Sequence, residues 1–324
     1  EEGWGGNTQW SIYPSEPALG YKYQGSQWGD PNAGEWRGGE CDVSIRPGWF
    51  YHAREDHQVK SLAHLVDLYY RSVGHNANFL LNFPVALNGK ISPNDSIRAV
   101  EWYQTIQNDL KDNLLKGSYV QASNTRGRKY SACKTTDNNW DTYWATDDSV
   151  INATLTFTLP HSSDINRILI QEYIPLGQRV KSFTIETEDK GIWTPIETID
   201  STTTIGYKRI ERFKTTTADK IRIHFTDARG PLCINNVEAF LAPALITEPI
   251  ITRNEEDLVR ISAGNGDSEI YYTTDGTEPT LNSPQYTQPF TFANKGTIKA
   301  IAYDPTFNKA SPISTKKLDI ARNN

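Results

Sequence analysis

Apolar residues at Val59, Leu62, Ala63, Val66, Tyr70 and Val73 recur at helical spacing and predict a helix over residues 55–72. Asp56 near its start suits the positive end of the helix dipole, and Gly74 is a stop signal after its end. The run from Asn78 to Phe83 is short and apolar and precedes Pro84, the pattern of a strand buried on both faces. Pro93 stands where a first helical turn tolerates proline, so a second helix is expected from there to about residue 113. Helix, strand and helix at this spacing suit a β/α barrel, although a complete eight-stranded barrel takes ~250 residues.

From about residue 118 the pattern changes to alternation of period two. Ala153 to Leu159, Arg167 to Gln171, Ser182 to Glu186 and Lys220 to Phe225 are rich in β-branched and aromatic residues, and turn signals separate them. Pro243 to Pro249 is a linker. Beyond it Ile270 to Thr274 leads into an Asp275-Gly276 turn, again the grammar of an all-β unit. The expected organisation is therefore three domains, 1–116 with α/β character, 117–243 all-β and 246–320 all-β.

Composition narrows the function classes. Among 324 residues the formal net charge is -6, which disfavours a nucleic-acid partner, since such a partner selects a basic face. No apolar run approaches the ~20 residues of a membrane span. Cys41, Cys133 and Cys233 allow one internal disulfide at most, and none lies in a Cys-x-x-Cys pair, which disfavours zinc. There is no methionine, so the chain is expected to be part of a longer protein.

Candidate chemistry concentrates in Glu40-Cys41-Asp42-Val43-Ser44-Ile45-Arg46-Pro47-Gly48-Trp49-Phe50-Tyr51-His52. Acids and an arginine bind sugar hydroxyls, and a ring covers the apolar face of a sugar. Glu40 and Asp42, two apart on an extended strand, share a face. Arg46 suits either a sugar oxygen or a buried ion pair with a carboxylate. Trp49, after the Pro47-Gly48 turn, suits either a stacking platform or the core. His52 and His75 have no identifiable partner.

This run, together with Ser72-Val73-Gly74-His75-Asn76-Ala77-Asn78-Phe79-Leu80-Leu81-Asn82-Phe83-Pro84, resembles the C-terminal half of the catalytic barrel of family 29 α-L-fucosidases, closest to the branch acting on α-1,3/1,4-linked fucose. Thr136-Asp137-Asn138-Asn139-Trp140-Asp141-Thr142-Tyr143-Trp144, Phe183-Thr184-Ile185-Glu186 and Ile234-Asn235-Asn236-Val237-Glu238-Ala239-Phe240 resemble the discoidin-like β-sandwich of coagulation-factor type C and family-32 carbohydrate-binding modules. Ile270-Tyr271-Tyr272-Thr273-Thr274-Asp275-Gly276-Thr277-Glu278-Pro279-Thr280, with Ser283-Pro284 and Ile298 to Tyr303, is similar to the small immunoglobulin-like C-terminal domain of chitobiases.

The resemblance implies a retaining exo-α-L-fucosidase represented by its C-terminal part, with the nucleophilic Asp in the missing half of the barrel. Retention needs two carboxyl groups, one attacking carbon and one donating a proton to the leaving oxygen. Glu1 takes the acid/base position, with Gly3-Trp4 and Thr8-Gln9-Trp10-Ser11 in register, and Glu40 is the second choice. Glu40, Asp42, Arg46 and Trp49 are the expected substrate contacts, and Trp10 and Trp36 candidates for a second subsite. In the sandwich Thr135, Asp137, Asn139, Thr142 and Glu238 are implied as calcium ligands, hard oxygens from a tight turn, against an alternative turn held by side-chain hydrogen bonds alone. No cofactor is expected for catalysis. The implied partner is a fucosylated oligosaccharide or glycoconjugate, and the implied location is periplasmic or extracellular. The competing class is a non-catalytic carbohydrate-binding or adhesion protein carrying a barrel remnant. A β-hexosaminidase is suggested by the last domain alone.

Overall fold

The computed structural model describes residues 12–13, 35–36, 39–243, 245–246, 248–254, 257–262, 268–305 and 309–319. Glu1, Trp10 and the segment around them lie outside the described residues, and of Trp36 only the backbone pairing of Glu35–Trp36 with Ile12–Tyr13 is described. Two compact units divide the chain, residues 1–242 and 243–324.

The first unit opens with strand β1 (Gly39–Ser44) paired in parallel with β2 (Ala77–Asn82), from Gly39 opposite Ala77 to Ser44 opposite Asn82. Helix α1 (Leu62–Ser72) is the crossover, and α2 (Pro93–Asp109) follows β2. Cys41, Val43 and Ile45 point to one side of β1 and pack against Leu65 and Leu68 of α1, all buried. Burial of both strand faces does not hold. Asn78 is exposed and Leu80 is 52% exposed, because the helices cover only the Cys41–Ile45 side.

The first helix also differs from its expected span. Residues Ala53–Gln58 form a 3-10 turn, the backbone extends at Val59, and α1 begins only after Ser61, whose hydroxyl accepts from His64 N. The interruption has a tertiary cause. Arg46 draws in His52 O and Asp56, and Lys60 N donates to Ile45 O at 2.9 Å, so residues 52–60 are tied to the end of β1 before a helix can start. Helix α2 ends at Asp109 rather than near 113, where the Asp109 carboxylate accepts the Tyr70 hydroxyl at 2.7 Å.

The rest of this unit is a β-sandwich folded from one seven-stranded antiparallel sheet. Its strands are β3 (Tyr119–Ala122), β4 (Trp144–Ala145), β5 (Ala153–Glu172), β6 (Val180–Asp189), β7 (Ile192–Pro195), β8 (Arg209–Ala228) and β9 (Cys233–Phe240), in the order β4-β9-β5-β8-β6-β7 with β3 beside β5. The runs 153–159 and 167–171 belong to one 20-residue strand, since Pro160, His161 and Ser162 form an exposed corner rather than a break. Register shifts between β5 and β8, at Arg212/Thr216 and Ala218/Lys220, bend both strands so that their halves serve different layers. Leu155, Phe157, Ile168, Ile170, Phe183, Ile221, Phe225 and Val237 fill the space between, with Trp144 fully buried.

Barrel-like and sandwich parts meet through polar backbone contacts. Ile210 N donates to Gly74 O at 2.8 Å, and Tyr207 N to Asn76 Oδ1 at 2.7 Å. Gly206, at φ +69°, lies so close to Asn76 that a Cβ there would come within 2.5 Å of its amide. Arg212 pairs with Asp67 at 2.8 Å, and Arg167 and Arg212 lie 5.0 and 5.3 Å from the Tyr70 ring centre. His75 is buried against Asp200 at 3.3 Å, and burial lowers its pKa to about 4.

The second unit holds two small antiparallel sheets. One orders β10 (Ile250–Arg253), β11 (Leu258–Ser262) and β13 (Phe290–Thr291); the other orders β12 (Glu269–Thr273), β14 (Gly296–Asp304) and β15 (Lys309–Ala310), with β16 (Ser314–Leu318) also on β14. Ile251, Val259, Ile261, Ile270, Ile298, Ala300 and Leu318 form its core.

Candidate active-site face and metal loop

Alternation along β1 sets Glu40 and Asp42 on the face opposite Cys41, Val43 and Ile45. Glu40 is exposed and Asp42 half-buried, so both acids are on the side that α1 leaves open. Opposite them in register stand Asn78 and Leu80 of β2. The face therefore mixes the acids and Asn78 with the apolar Leu80, the combination of acceptors and apolar surface that a sugar site uses.

At the C-terminal ends of the two strands the side chains interlock. Asn82 Nδ2 donates to Ser44 Oγ at 3.1 Å and to Trp49 O at 3.2 Å, and Ser44 Oγ donates to Gly48 O at 2.7 Å. These bonds fix the Pro47-Gly48-Trp49 turn to the strand ends. The Trp49 side chain remains substantially exposed, at 45% for the residue. An exposed indole on a clamped backbone is pre-ordered for stacking. Neither Ser44 nor Asn82 is singled out by the sequence reading; their one signal is that each closes its strand.

Arg46 is placed differently from a substrate contact. It is fully buried, with Nε 2.8 and 3.0 Å from the two Asp95 oxygens and Nη2 2.7 Å from Asp56. Its guanidinium lies 4.7 Å from the Tyr51 ring centre. The hydrogen bond to Asp95, ahead of the opposing cost of burial, raises its pKa. All its charge is engaged by carboxylates of the 3-10 turn and of the first turn of α2, so it organises the loop beneath Trp49. Asp95 stands 49 residues away in sequence, out of reach of any local pattern.

In the sandwich, Asp137 receives Asn139 N at 3.1 Å, the Thr142 hydroxyl at 2.7 and 2.9 Å, and Lys134 Nζ at 3.2 Å. The carbonyls of Asn139, Trp140 and Thr142 converge on Asn235 Nδ2 at 3.4, 3.2 and 2.6 Å. Thr135 is buried, its hydroxyl given to Ala132 O. Glu238 is not brought to this loop. It lies three residues beyond Asn235, roughly 10 Å along a strand, and its neighbours are Asn236 and Lys208. The converging carbonyls have the chemistry a hard cation wants, but a neutral amide donor meets them, and the described residues contain no cluster of three or more His, Cys, Asp or Glu fit for a metal. The five-residue set does not fit a calcium ion in this arrangement.

Comparison with known proteins joins these observations. The F5/8 type C domain model matches residues 119–239, and the Fn3 associated model matches residues 259–318. Alpha-L-fucosidase 1 of Arabidopsis thaliana is 36% identical over 227 residues, 66% of this chain and 42% of that protein. A Ruminococcus gnavus family 29 fucosidase, solved in complex with fucose, matches with TM-score 0.65 and 30% identity over 74% of this chain and 48% of its own. A glycoside hydrolase 29 family member from an unknown rumen bacterium matches over 98% of this chain and 56% of its own, with TM-score 0.59 and 26% identity. The chain spans about half the length of the curated relatives it matches. The parallel pair and its helices, the discoidin-like sandwich and the sequence identity agree: the chain is similar to the C-terminal part of the family 29 α-L-fucosidases.

Proposed function

We propose that this chain supplies the C-terminal strands and helices of a (β/α)8 barrel in a retaining exo-α-L-fucosidase that releases terminal α-1,3/1,4-linked L-fucose. One observation carries the reading: the Gly48-Trp49 backbone is held by Ser44 and Asn82 at the C-terminal ends of two parallel strands, the end where barrel enzymes keep their sites. Glu40 and Asp42 reach the same open face and supply acceptors for sugar hydroxyls. The Trp49 ring covers the apolar edge of the sugar. Glu1 protonates the leaving oxygen and then activates water, while the nucleophilic Asp comes from a part of the barrel that the described residues do not include. Residues 246–320 are read as a small immunoglobulin-like sandwich of the chitobiase C-terminal type.

The test uses a protein carrying the whole barrel, with a natural fucosylated oligosaccharide and an aryl fucoside as substrates. Trp49→Ala should raise KM by roughly tenfold with a smaller change in kcat, as expected on loss of stacking worth ~1 kcal/mol or slightly more. Glu1→Gln should abolish cleavage of the oligosaccharide, spare the first step on the aryl fucoside, and respond to added azide. If Glu40→Gln shows that pattern instead, the acid/base is Glu40. Wild-type kinetics in all three variants would remove these residue assignments, and a whole-barrel protein that cleaves neither substrate would remove the fucosidase reading.

A further inference from the structure

Between β5 and β6 the chain turns through residues 173–179, and beside this turn lies a cavity of about 420 Å³ that the fucosidase reading does not use. Its walls include Arg126, Tyr130, Tyr143, Leu176, Arg179 and Cys233. The Tyr143 ring is stacked on Tyr173 at 4.3 Å between centres and lies 5.1 Å from Tyr130. Burial first, then a hydrogen bond with Tyr130, push the Tyr143 hydroxyl up to about 12, so it remains a protonated donor near neutrality.

Arg179 is fixed by neutral groups. Its Nε and Nη2 donate to Leu176 O at 3.3 and 3.1 Å, and Nη1 to Pro231 O at 2.8 Å. Among the described residues no carboxylate forms an ion pair with that guanidinium. Glu172 instead spends its oxygens on the backbone N–H groups of Arg179, Val180 and Gly206. The second cation, Arg126, is partly exposed and pairs with Asp148, itself 77% exposed in the side chain. A rigid cation bonded only to neutral acceptors, with the nearby Glu172 carboxylate already committed to backbone N–H groups, can take an anion on a cavity wall of a chain with net charge -6. The tyrosine stack and Leu176 add flat apolar surface edged with hydroxyls, which matches the C–H face and hydroxyl rim of a pyranose.

We propose that this cavity binds a pyranose carrying a carboxylate, a uronic acid residue, with the acid group on Arg179 and Arg126 and the ring against Tyr143 and Leu176. The site is separate from the barrel face, so it stands or falls independently of fucoside hydrolysis.

Isothermal titration of the 324-residue chain with the methyl glycosides of glucuronic and galacturonic acid tests it, against the methyl glucoside and galactoside lacking the acid. At least one uronide should bind with millimolar affinity, about tenfold or more tighter than its neutral counterpart, the effect of one charge-assisted contact. Arg179→Gln should erase that preference. Because Arg179 also ties down carbonyls, Arg126→Gln and Tyr143→Phe provide variants that keep the backbone bonds; each should weaken uronide binding roughly threefold or more. Equal affinity for acid and neutral sugars, no binding by either uronide at about 50 mM, or unchanged binding in both Arg126→Gln and Tyr143→Phe overturns the proposal.

Discussion

Replacing Arg46 with Met probes the loop beneath Trp49 most directly. The change removes Nε from Asp95, whose side chain is 0% exposed, and Nη2 from Asp56, whose side chain is 38% exposed. Stripping one partner from a buried pair costs ~3–5 kcal/mol, because the remaining charge is left uncompensated. Two smaller effects adjust the figure, in opposite directions. Asp95 lies in the first turn of α2, where the dipole returns ~0.3–1 kcal/mol to a carboxylate. Asp56 regains water, so its lost bond adds ~1 kcal/mol at most. A loss of about 3 kcal/mol is expected. All nine tryptophans lie before Pro243, so tryptophan fluorescence during urea unfolding reports the first unit alone. Arg46→Met with Asp95→Leu removes both buried charges and should recover ~2 kcal/mol or more of the summed single losses. A single-variant loss below ~1 kcal/mol, or strictly additive losses in the double variant, would refute the role assigned to this pair.

Two further outcomes are expected. His75, held near pKa 4 against about 6.5 unfolded, stays neutral in the native state, so its contribution is complete above pH 6.5 and is lost as pH falls toward 4. The loss is roughly 3 kcal/mol, and His75→Gln should flatten the fluorescence-monitored stability profile in that window; an unchanged slope would assign the acid sensitivity elsewhere. Asn235→Ala should cost ~1–3 kcal/mol by orphaning the carbonyls of Asn139, Trp140 and Thr142. If calcium raises the melting temperature of the unmodified chain, those carbonyls hold the ion and the amide is not their native partner.

The sequence made the parallel pairing legible because residues 39–44 and 77–82 each fit a strand and the segment between them carries a helical stripe. It also placed Glu40 and Asp42 on one face, since alternation is a local rule. The break at Val59 was illegible, because it is imposed by Arg46 and Ile45 from outside the helix pattern. Arg46 itself fitted two roles until Asp95 appeared beside it. Likewise the sequence pointed to Glu238 for the metal loop, but Asn235, at the register shift between Ile234 and Asn236, is the residue that reaches it, and Glu238 lies near Lys208. Contacts closed over long separations decided each of these cases.

The Gly206–Asn76 contact has a consequence for how such proteins are assembled. Carbohydrate-binding modules are often pictured as beads on flexible cords, exchangeable by cutting at a linker. Here the seam is backbone against side-chain amide with no room for one added carbon, flanked by Gly74 and Ile210 sharing a hydrogen bond. A graft that changed either surface would meet a steric veto before any question of binding arose. The sandwich is therefore set at a fixed bearing to the parallel strands and helices before it, and the two turn as one rigid piece rather than on a swinging tether.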